Sequence, residues 1–456
     1  MRHLVFGLVM ALLLSSSGAE ASPGSLTAFV TDAATGSVLE VSLTGAGMAA
    51  IPVGPAPFGV AVLPDGSRVY VSNRGFNLRA NGSISVITVA NGSLKTTIPV
   101  GRMPMGVAAG PGGSSVYVVN NSSHSLSVID TATDTVVKII PLFVDGSGSL
   151  FPRGVVANPD PGKPYVYVTN RGSGDLAIVN TTDWSVRRVL GIGIDPYGVA
   201  VARDGKTVYV ALEGEGKLAL IDAFTLQVDP VKVDVGPIGS NSGPTGVAVG
   251  RDGKVYVTNT QSNSVWVVDP VNKTSVSVAV GGRPVGVSVS PDGSRVYVAN
   301  SMGGSLSVIS TASNVVDTLP LPGSNPIAFG NFVWGPTAIP VAIDIKPGSG
   351  QNTINLGSHG VTPVAILSTS TFDAPVRVNP ATVTLAGAPV QLKGDGVTPV
   401  IEERDVNGDG FVDLVVHIQT DAMVVPQGET TVVLEGKTWD NESIRGEATV
   451  RIVPGK

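Results

Sequence analysis

The sequence predicts an all-β protein: a seven-bladed β-propeller closed by pairing of its N- and C-terminal strands, followed by a β-sandwich domain. Three observations carry this. First, an aromatic residue followed by Val, a small residue and usually Asn recurs seven times. The copies are Phe29-Val30-Thr31-Asp32, Tyr70-Val71-Ser72-Asn73, Tyr117-Val118-Val119-Asn120, Tyr167-Val168-Thr169-Asn170, Tyr209-Val210-Ala211-Leu212, Tyr256-Val257-Thr258-Asn259 and Tyr297-Val298-Ala299-Asn300, spaced 41 to 50 residues apart. That period is the length of one four-stranded blade. Second, the chain holds 57 Gly and 33 Pro but only 14% charged residues, a composition for strands and tight turns rather than helices. Third, Asp-Gly turns at Asp65, Asp204, Asp252 and Asp292 punctuate apolar runs. Asp bonds its own backbone there and Gly supplies positive φ, so these carboxylates read as turn formers without chemistry.

The elements follow in chain order. Met1-Arg2-His3, the apolar run Leu4 to Leu14 and the Ala19-Glu20-Ala21 site read as a signal peptide over 1–21, with the mature chain starting at Ser22. The run is too short to span a bilayer, and no later stretch qualifies. The destination is secreted: extracellular, cell surface or periplasm. Residues 22–339 form the propeller. Its most regular unit runs Pro284-Val285-Gly286-Val287-Ser288-Val289 as innermost strand, Pro291-Asp292-Gly293 as turn, then strands at 296–300, 305–309 and 314–319. Alternation of apolar and small polar positions suits strands packed between neighbouring blades. The chain enters at a second strand near Thr27 to Thr31 and supplies a lone first strand at Pro326-Ile327-Ala328-Phe329. Pro326 to Val333 is therefore expected beside Ala28 to Thr31 in one shared blade, removing the open sheet edges.

The Pro-x-Gly-Val-Ala-Val, Pro-Asp-Gly, Tyr-Val-Thr-Asn and Leu-Ser-Val-Ile-Asp segments between Leu26 and Pro340 resemble the YVTN-repeat β-propeller family. The resemblance implies a secreted or surface protein of the kind found in bacterial and archaeal surface layers, related to propellers of several enzymes. One unit departs from the pattern, with Leu212-Glu213-Gly214-Glu215 in place of the Asn and its followers.

The residues in the Pro-x-Gly slot should ring the mouth of the central channel: Phe58, Met105, Arg153, Tyr197, Thr245, Val285 and Ile327. This ring has one charge, no carboxylate and no histidine, whereas hydrolytic or redox propellers need converging His, Asp or Glu. His124, the one histidine of the propeller, reads as a solvent-facing loop residue. The same face carries Arg74, Arg79, Arg102, Arg153, Arg171 and Arg283, and the insertions at 74–82, 142–151 and 236–242. Arg holds carboxylate or phosphate through paired donors. Arg102, Arg153, Arg171, Tyr197 and Phe58 are thus the candidate ligand-binding residues, for an anionic glycan or peptide. The plainer alternative is scattered surface Arg balanced by Asp32, Asp195, Glu213 and Glu215.

The net charge of −6 belongs to the C-terminal 340–456 region, which has 14 acidic and 8 basic residues against 20 of each over 22–339. No basic excess marks a nucleic-acid partner. The absence of Cys excludes Fe–S clusters, covalent c-type haem and a thiol nucleophile. Short strands at 341–345, 363–368, 382–385, 414–419, 430–434 and 448–452 suggest the β-sandwich. Within it, Asp405-Val406-Asn407-Gly408-Asp409-Gly410-Phe411-Val412-Asp413 places oxygen side chains at alternating positions, with Gly at the sixth for a sharp turn. The predicted calcium ligands are Asp405, Asn407, Asp409, the Phe411 carbonyl and Asp413. The segment resembles the calcium loops of FG-GAP and integrin-type β-repeats, since a strand and not a helix follows. The ion, Ca2+, is expected to be structural.

Together these features favour a secreted or cell-surface binding or scaffold protein, not an enzyme, whose extracellular partner is a glycan or protein. A lactone- or glycan-cleaving propeller and a surface-layer component are the alternatives.

Overall fold

In the computed structural model the described residues are 26–43, 47–77, 79–143, 150–236, 243–335, 339–349, 352–356, 360–369, 372–423, 425, 428–439 and 443–453. The expected signal peptide, 144–149 and 237–242 lie outside them. The chain divides into two compact units with their boundary at Trp334, two short segments of the last blade (290–295 and 309–315) apart.

The first unit is built from seven four-stranded antiparallel sheets. Blade 1 joins the chain ends, in the order Val333–Trp334, Thr27–Asp32, Ser37–Ser42, Met48–Pro52. Blades 2 to 7 begin at Pro57–Val62, Pro104–Ala109, Pro152–Ala157, Pro196–Val201, Pro244–Val249 and Pro284–Val289. Each runs outward through the strand holding the aromatic-Val repeat. Tyr70, Tyr167, Tyr256, Tyr297 and Phe29 are among the largest fully buried side chains. They and the alternating valines fill the space between blades, each large side chain contributing about 1.5–3 kcal/mol.

The repeat's recurrent positions have separable physical reasons. A β-carbon on Gly59, Gly106, Gly154, Gly198, Gly246 or Gly286 would lie 2.0 to 2.7 Å from the carbonyl oxygen of Met105, Arg153, Tyr197, Thr245, Val285 or Ala328 respectively, in the next blade or, for Ala328, in the closing segment. Only glycine lets neighbouring blades approach this closely. The Ser or Thr before the motif's Asn is an inter-blade relay. The Ser72 hydroxyl accepts the Gly59 N–H (2.8 Å) and donates to the Met105 carbonyl (2.7 Å). Thr169 does the same between Gly154 and Tyr197 (2.8 and 2.6 Å), and Thr258 between Gly246 and Val285 (2.7 and 3.0 Å). The Asn itself ties the second strand to the third: Asn120 donates to Ser125 and Ser127, and Asn300 to Ser305 and Ser307.

Closure has the expected partners but not the expected path. Pro326 bridges Asp32, and Val333 and Trp334 pair with Ala28 and Thr27. Between these points the chain leaves the blade, with Ala328 and Gly330 at positive φ. Phe329 bridges Gly59 in parallel sense. Val60 and Val62 donate their N–H groups to the carbonyls of Phe329 and Asn331 (3.0 and 3.2 Å). The closing segment is therefore stitched to blades 1 and 2 together, and borders the channel between its two contacts with blade 1.

The second unit has two sheets. One is ordered Ile339–Pro340, Ser443–Val453, Gly428–Thr438, Val378–Leu385, Ala388–Pro389, with Thr353–Asn355 also pairing Ser443–Val453. The other is ordered Ile343–Ile345, Val361–Ile366, Asp413–Gln419, Ile401–Arg404. One hydrophobic cluster draws on both, including Ile345, Val364, Val416, Leu434 and Ile452.

Candidate functional site

Each blade's first strand starts and its second strand ends at the same end of the propeller. Two rings of positions meet there, the Pro-x-Gly slot and the residue after the repeat's Asn. The first supplies Phe58, Arg153 and Tyr197; the second supplies Arg74, Arg171 and, in the divergent unit, Glu213. The slot ring does close over the channel axis. Phe58, Met105 and Phe329 form a buried cluster with Met103, Tyr197, Val285 and Ile327 against it. Phe329 lies 5.6 Å from Phe58 and, edge-on, 5.4 Å from Tyr197, measured between ring centroids.

Cations stand over this aromatic floor. The Arg74 guanidinium is 4.5 Å from the Phe58 centroid and that of Arg153 is 5.2 Å from the Tyr197 centroid. Neither has an ion-pair partner among the described residues. The Nε atoms of Arg74, Arg153 and Arg171 are buried without a hydrogen-bond partner. Burial lowers the Arg74 pKa, the like charge of Arg153 acts in the same direction, and Tyr197 opposes them. Burial raises the Tyr197 phenol pKa against the pull of Arg153, with Glu213 adding to the rise and Arg74 and Arg171 subtracting. At this mouth Tyr197 is a neutral phenol ringed by three arginines.

Arg171 differs from the other two. Its guanidinium lies 3.1 Å from Glu213 and 3.4 Å from Asp195, so for this residue the charge-balanced reading describes the geometry. Glu215, the other acid of the divergent loop, pairs with Lys232 at 2.8 Å. Arg102 is apart: its guanidinium donates to the Ser122 carbonyl (2.9 Å) and its N–H to Ser123 (2.8 Å). His124 is a surface turn residue that is only partly solvent-facing. Its ring is half-buried between Phe143 and Phe151, 5.1 and 5.3 Å away, and accepts the Phe151 N–H. Both rings stay partly exposed, Phe143 at 42% and Phe151 at 43%.

Phe329 was not legible as a site residue, and Glu213 was legible only as a counter-charge to the arginines. Phe329 sits one position past the Ala that matches the slot glycine, and only the detour of the closing segment brings it to the axis. Glu213 occupies the one unit that breaks the repeat, and that break was its signal.

In the second unit, the 405–413 segment makes the sharp turn expected, with Gly408 and Gly410 at positive φ. Asp405 accepts the N–H groups of Gly408 and Gly410 (2.7 and 2.9 Å), and the Gly410 amide leads in holding its carboxyl below the usual range. Asp409 accepts from the Asn407 amide and the Phe411 N–H (2.8 and 2.9 Å). Asp413 is fully buried, accepting from Ser368 and Val406 (2.7 and 2.9 Å). Among the described residues no three acidic or histidine side chains converge as an ion-holding group.

The propeller has clear relatives in fold. The family model described as "Lactonase, 7-bladed beta-propeller" matches residues 23–137, and an NHL-repeat model matches residues 241–268. No curated protein matches the chain. Among solved structures, the periplasmic gluconolactonase of Pseudomonas aeruginosa shares 16% identity at a TM-score of 0.55, over 69% of this chain and 99% of its own. The hydrazine synthase of Kuenenia stuttgartiensis shares 20% at 0.54, over 67% and 99%. A putative 6-phosphogluconolactonase of Bacteroides uniformis shares 16% at 0.54, over 67% and 98%. At these identities the likeness is one of fold: a seven-bladed propeller of the lactonase-like type. Among the described residues, no helix is long and apolar enough to cross a membrane.

Proposed function

We propose that the propeller mouth captures a small carboxylate- or phosphate-bearing ligand. Arg153 and Arg74 hold the anion, Tyr197 and Phe58 supply the apolar wall, and Arg171 with Glu213 forms the rim. The observation that carries this is the pair of half-buried guanidiniums without a carboxylate, each with its Nε buried and unpaired. Buried donors without partners cost about 1–3 kcal/mol each, a cost that a bound anion offsets. Calorimetric titration with gluconate and 6-phosphogluconate tests it. Binding that weakens at least about tenfold in the Arg74→Ala, Arg153→Ala double variant is expected. Equal binding by both proteins, or none by either, rejects it.

A second reading is opening of a lactone at the same mouth. The family match over residues 23–137 supports this over a passive scaffold or surface-layer role, and Glu213 is the carboxylate available as general base. A pH-stat assay on glucono-δ-lactone, with Glu213→Gln as control, separates turnover from capture.

The same proposal includes export through removal of residues 1–21, and a β-sandwich reading of the second unit's paired sheets. It also includes structural Ca2+ at Asp405, Asn407, Asp409, the Phe411 carbonyl and Asp413. The donor chemistry fits a hard cation: three carboxylates and an amide within nine residues around two glycine turns. When bound, the ion would offset the mutual repulsion of those carboxylates.

A further inference from the structure

Phe329 enters the mouth from a segment that is not part of the repeat. Its neighbours come from four other stretches of chain: Phe58 and Tyr197 by ring contact, with Met105 and Val285 in the same apolar cluster. Behind it lies the channel cavity, lined by Gly106, Gly154, Gly198, Gly246, Val247 and Val287. Those glycines expose backbone, and the other side chains of the lining are valines, so Phe329 is the one aromatic ring in it. Phe329 is the large ring between the arginines and that channel. Its place is held by backbone bonds, N–H to the Phe58 carbonyl (3.2 Å) and carbonyl from the Val60 N–H (3.0 Å), so its side chain can be truncated without removing the seam.

We infer that Phe329 is the specificity-determining floor of the mouth: it restricts the site to compact anions by occupying the space that a ligand's apolar substituent would take. This rests on the anion reading of Arg74 and Arg153. Truncating a buried aromatic ring leaves an apolar space that accepts an apolar group of the deleted size. A carboxylate held by Arg153 could then project a phenyl group to where the Phe329 ring stood, among Phe58, Met105 and Tyr197.

The test is calorimetric titration of the full chain with propionate and 3-phenylpropionate, comparing wild type, Phe329→Ala and Phe329→Leu. The affinity ratio of 3-phenylpropionate to propionate should rise at least about tenfold in Phe329→Ala, from burial of the phenyl group. A smaller rise is expected in Phe329→Leu, which fills part of the space and serves if the Ala variant does not fold. An unchanged ratio in both, with propionate binding still lost in Arg153→Ala, overturns the role of Phe329 alone. If wild type binds neither carboxylate, or Arg153→Ala binds them equally well, the anion reading falls and this inference falls with it.

Discussion

Arg68 and Arg153 belong to the same propeller but to opposite ends of its blades, and their surroundings treat charge in contrasting ways. At the far end, Arg68, Lys95 and Tyr70 of blade 2 converge on Asp134 of blade 3 at 2.9, 2.7 and 2.6 Å. Arg68 also donates to the Thr131 carbonyl. Burial pushes the Asp134 carboxyl up, but hydrogen bonds from Lys95 and Tyr70 and the charges of Arg68 and Lys95 outweigh it and hold the carboxyl below the usual range. At the mouth, Arg74 and Arg153 face rings instead of carboxylates. Asp134 pairs with cations of the neighbouring blade and ties two blades together; at the mouth Arg74 and Arg153 have no carboxylate partner among the described residues.

The contrast can be broken or sharpened experimentally. The largest effect on stability should come from the seam on which both ends depend. A chain ending after Pro322 lacks the closing segment, whereas one ending after Trp334 keeps it. Thermal unfolding should show the shorter chain losing most of the roughly 5–15 kcal/mol typical of a folded domain; equal melting would mean that the seam does not hold the ring.

Next comes Asp134→Ala, which strands the buried groups of Arg68 and Tyr70 and should cost about 3–5 kcal/mol in urea unfolding. The sign of its pH dependence is set by the lowered folded pKa. The contribution is complete above the unfolded value of about 3.9 and disappears as pH falls through the lower folded one. Wild type should lose its advantage over the variant only in that acid window.

A smaller loss, about 1–3 kcal/mol, is expected for Thr169→Val, which leaves the Gly154 N–H and the Tyr197 carbonyl without their relay. Calcium should raise the melting of the second unit's transition by a few degrees, about 1 kcal/mol by linkage, with Asp409→Ala removing the gain. No shift in either protein refutes the ion. Smallest of all on stability should be the Arg74→Ala, Arg153→Ala double variant, within about 1 kcal/mol of wild type. A loss as large as that of Asp134→Ala would make the mouth arginines struts.

Legibility in the sequence followed repetition. The slot glycines and buried tyrosines each face the same neighbour blade after blade, so periodicity alone located them. The relay is filled by Thr31, Ser72, Thr169 and Thr258 but replaced by Val119, Ala211 and Ala299, which shows where the repeat tolerates loss. Phe329 was hidden, and Glu213 was legible only as a counter-charge, because each occupies a position where the repeat stops. Arg102 was misplaced with Arg153 because sharing a face does not fix distance from the axis, and in the second unit the edge strand Ile401–Arg404, with its charged Glu-Glu-Arg run, carried no apolar alternation to announce it.

The sequence by itself determined the seven blades, the pairing of the chain ends and the end of the propeller where its arginines gather, because each is a local pattern repeated at blade spacing. Only the tertiary structure decided that the closing segment detours into the channel, that Phe329 floors the mouth, and that Arg171 is paired while Arg74 and Arg153 are not. Those outcomes depend on distances between side chains far apart in sequence, and short-range order cannot encode such distances until the ring has closed.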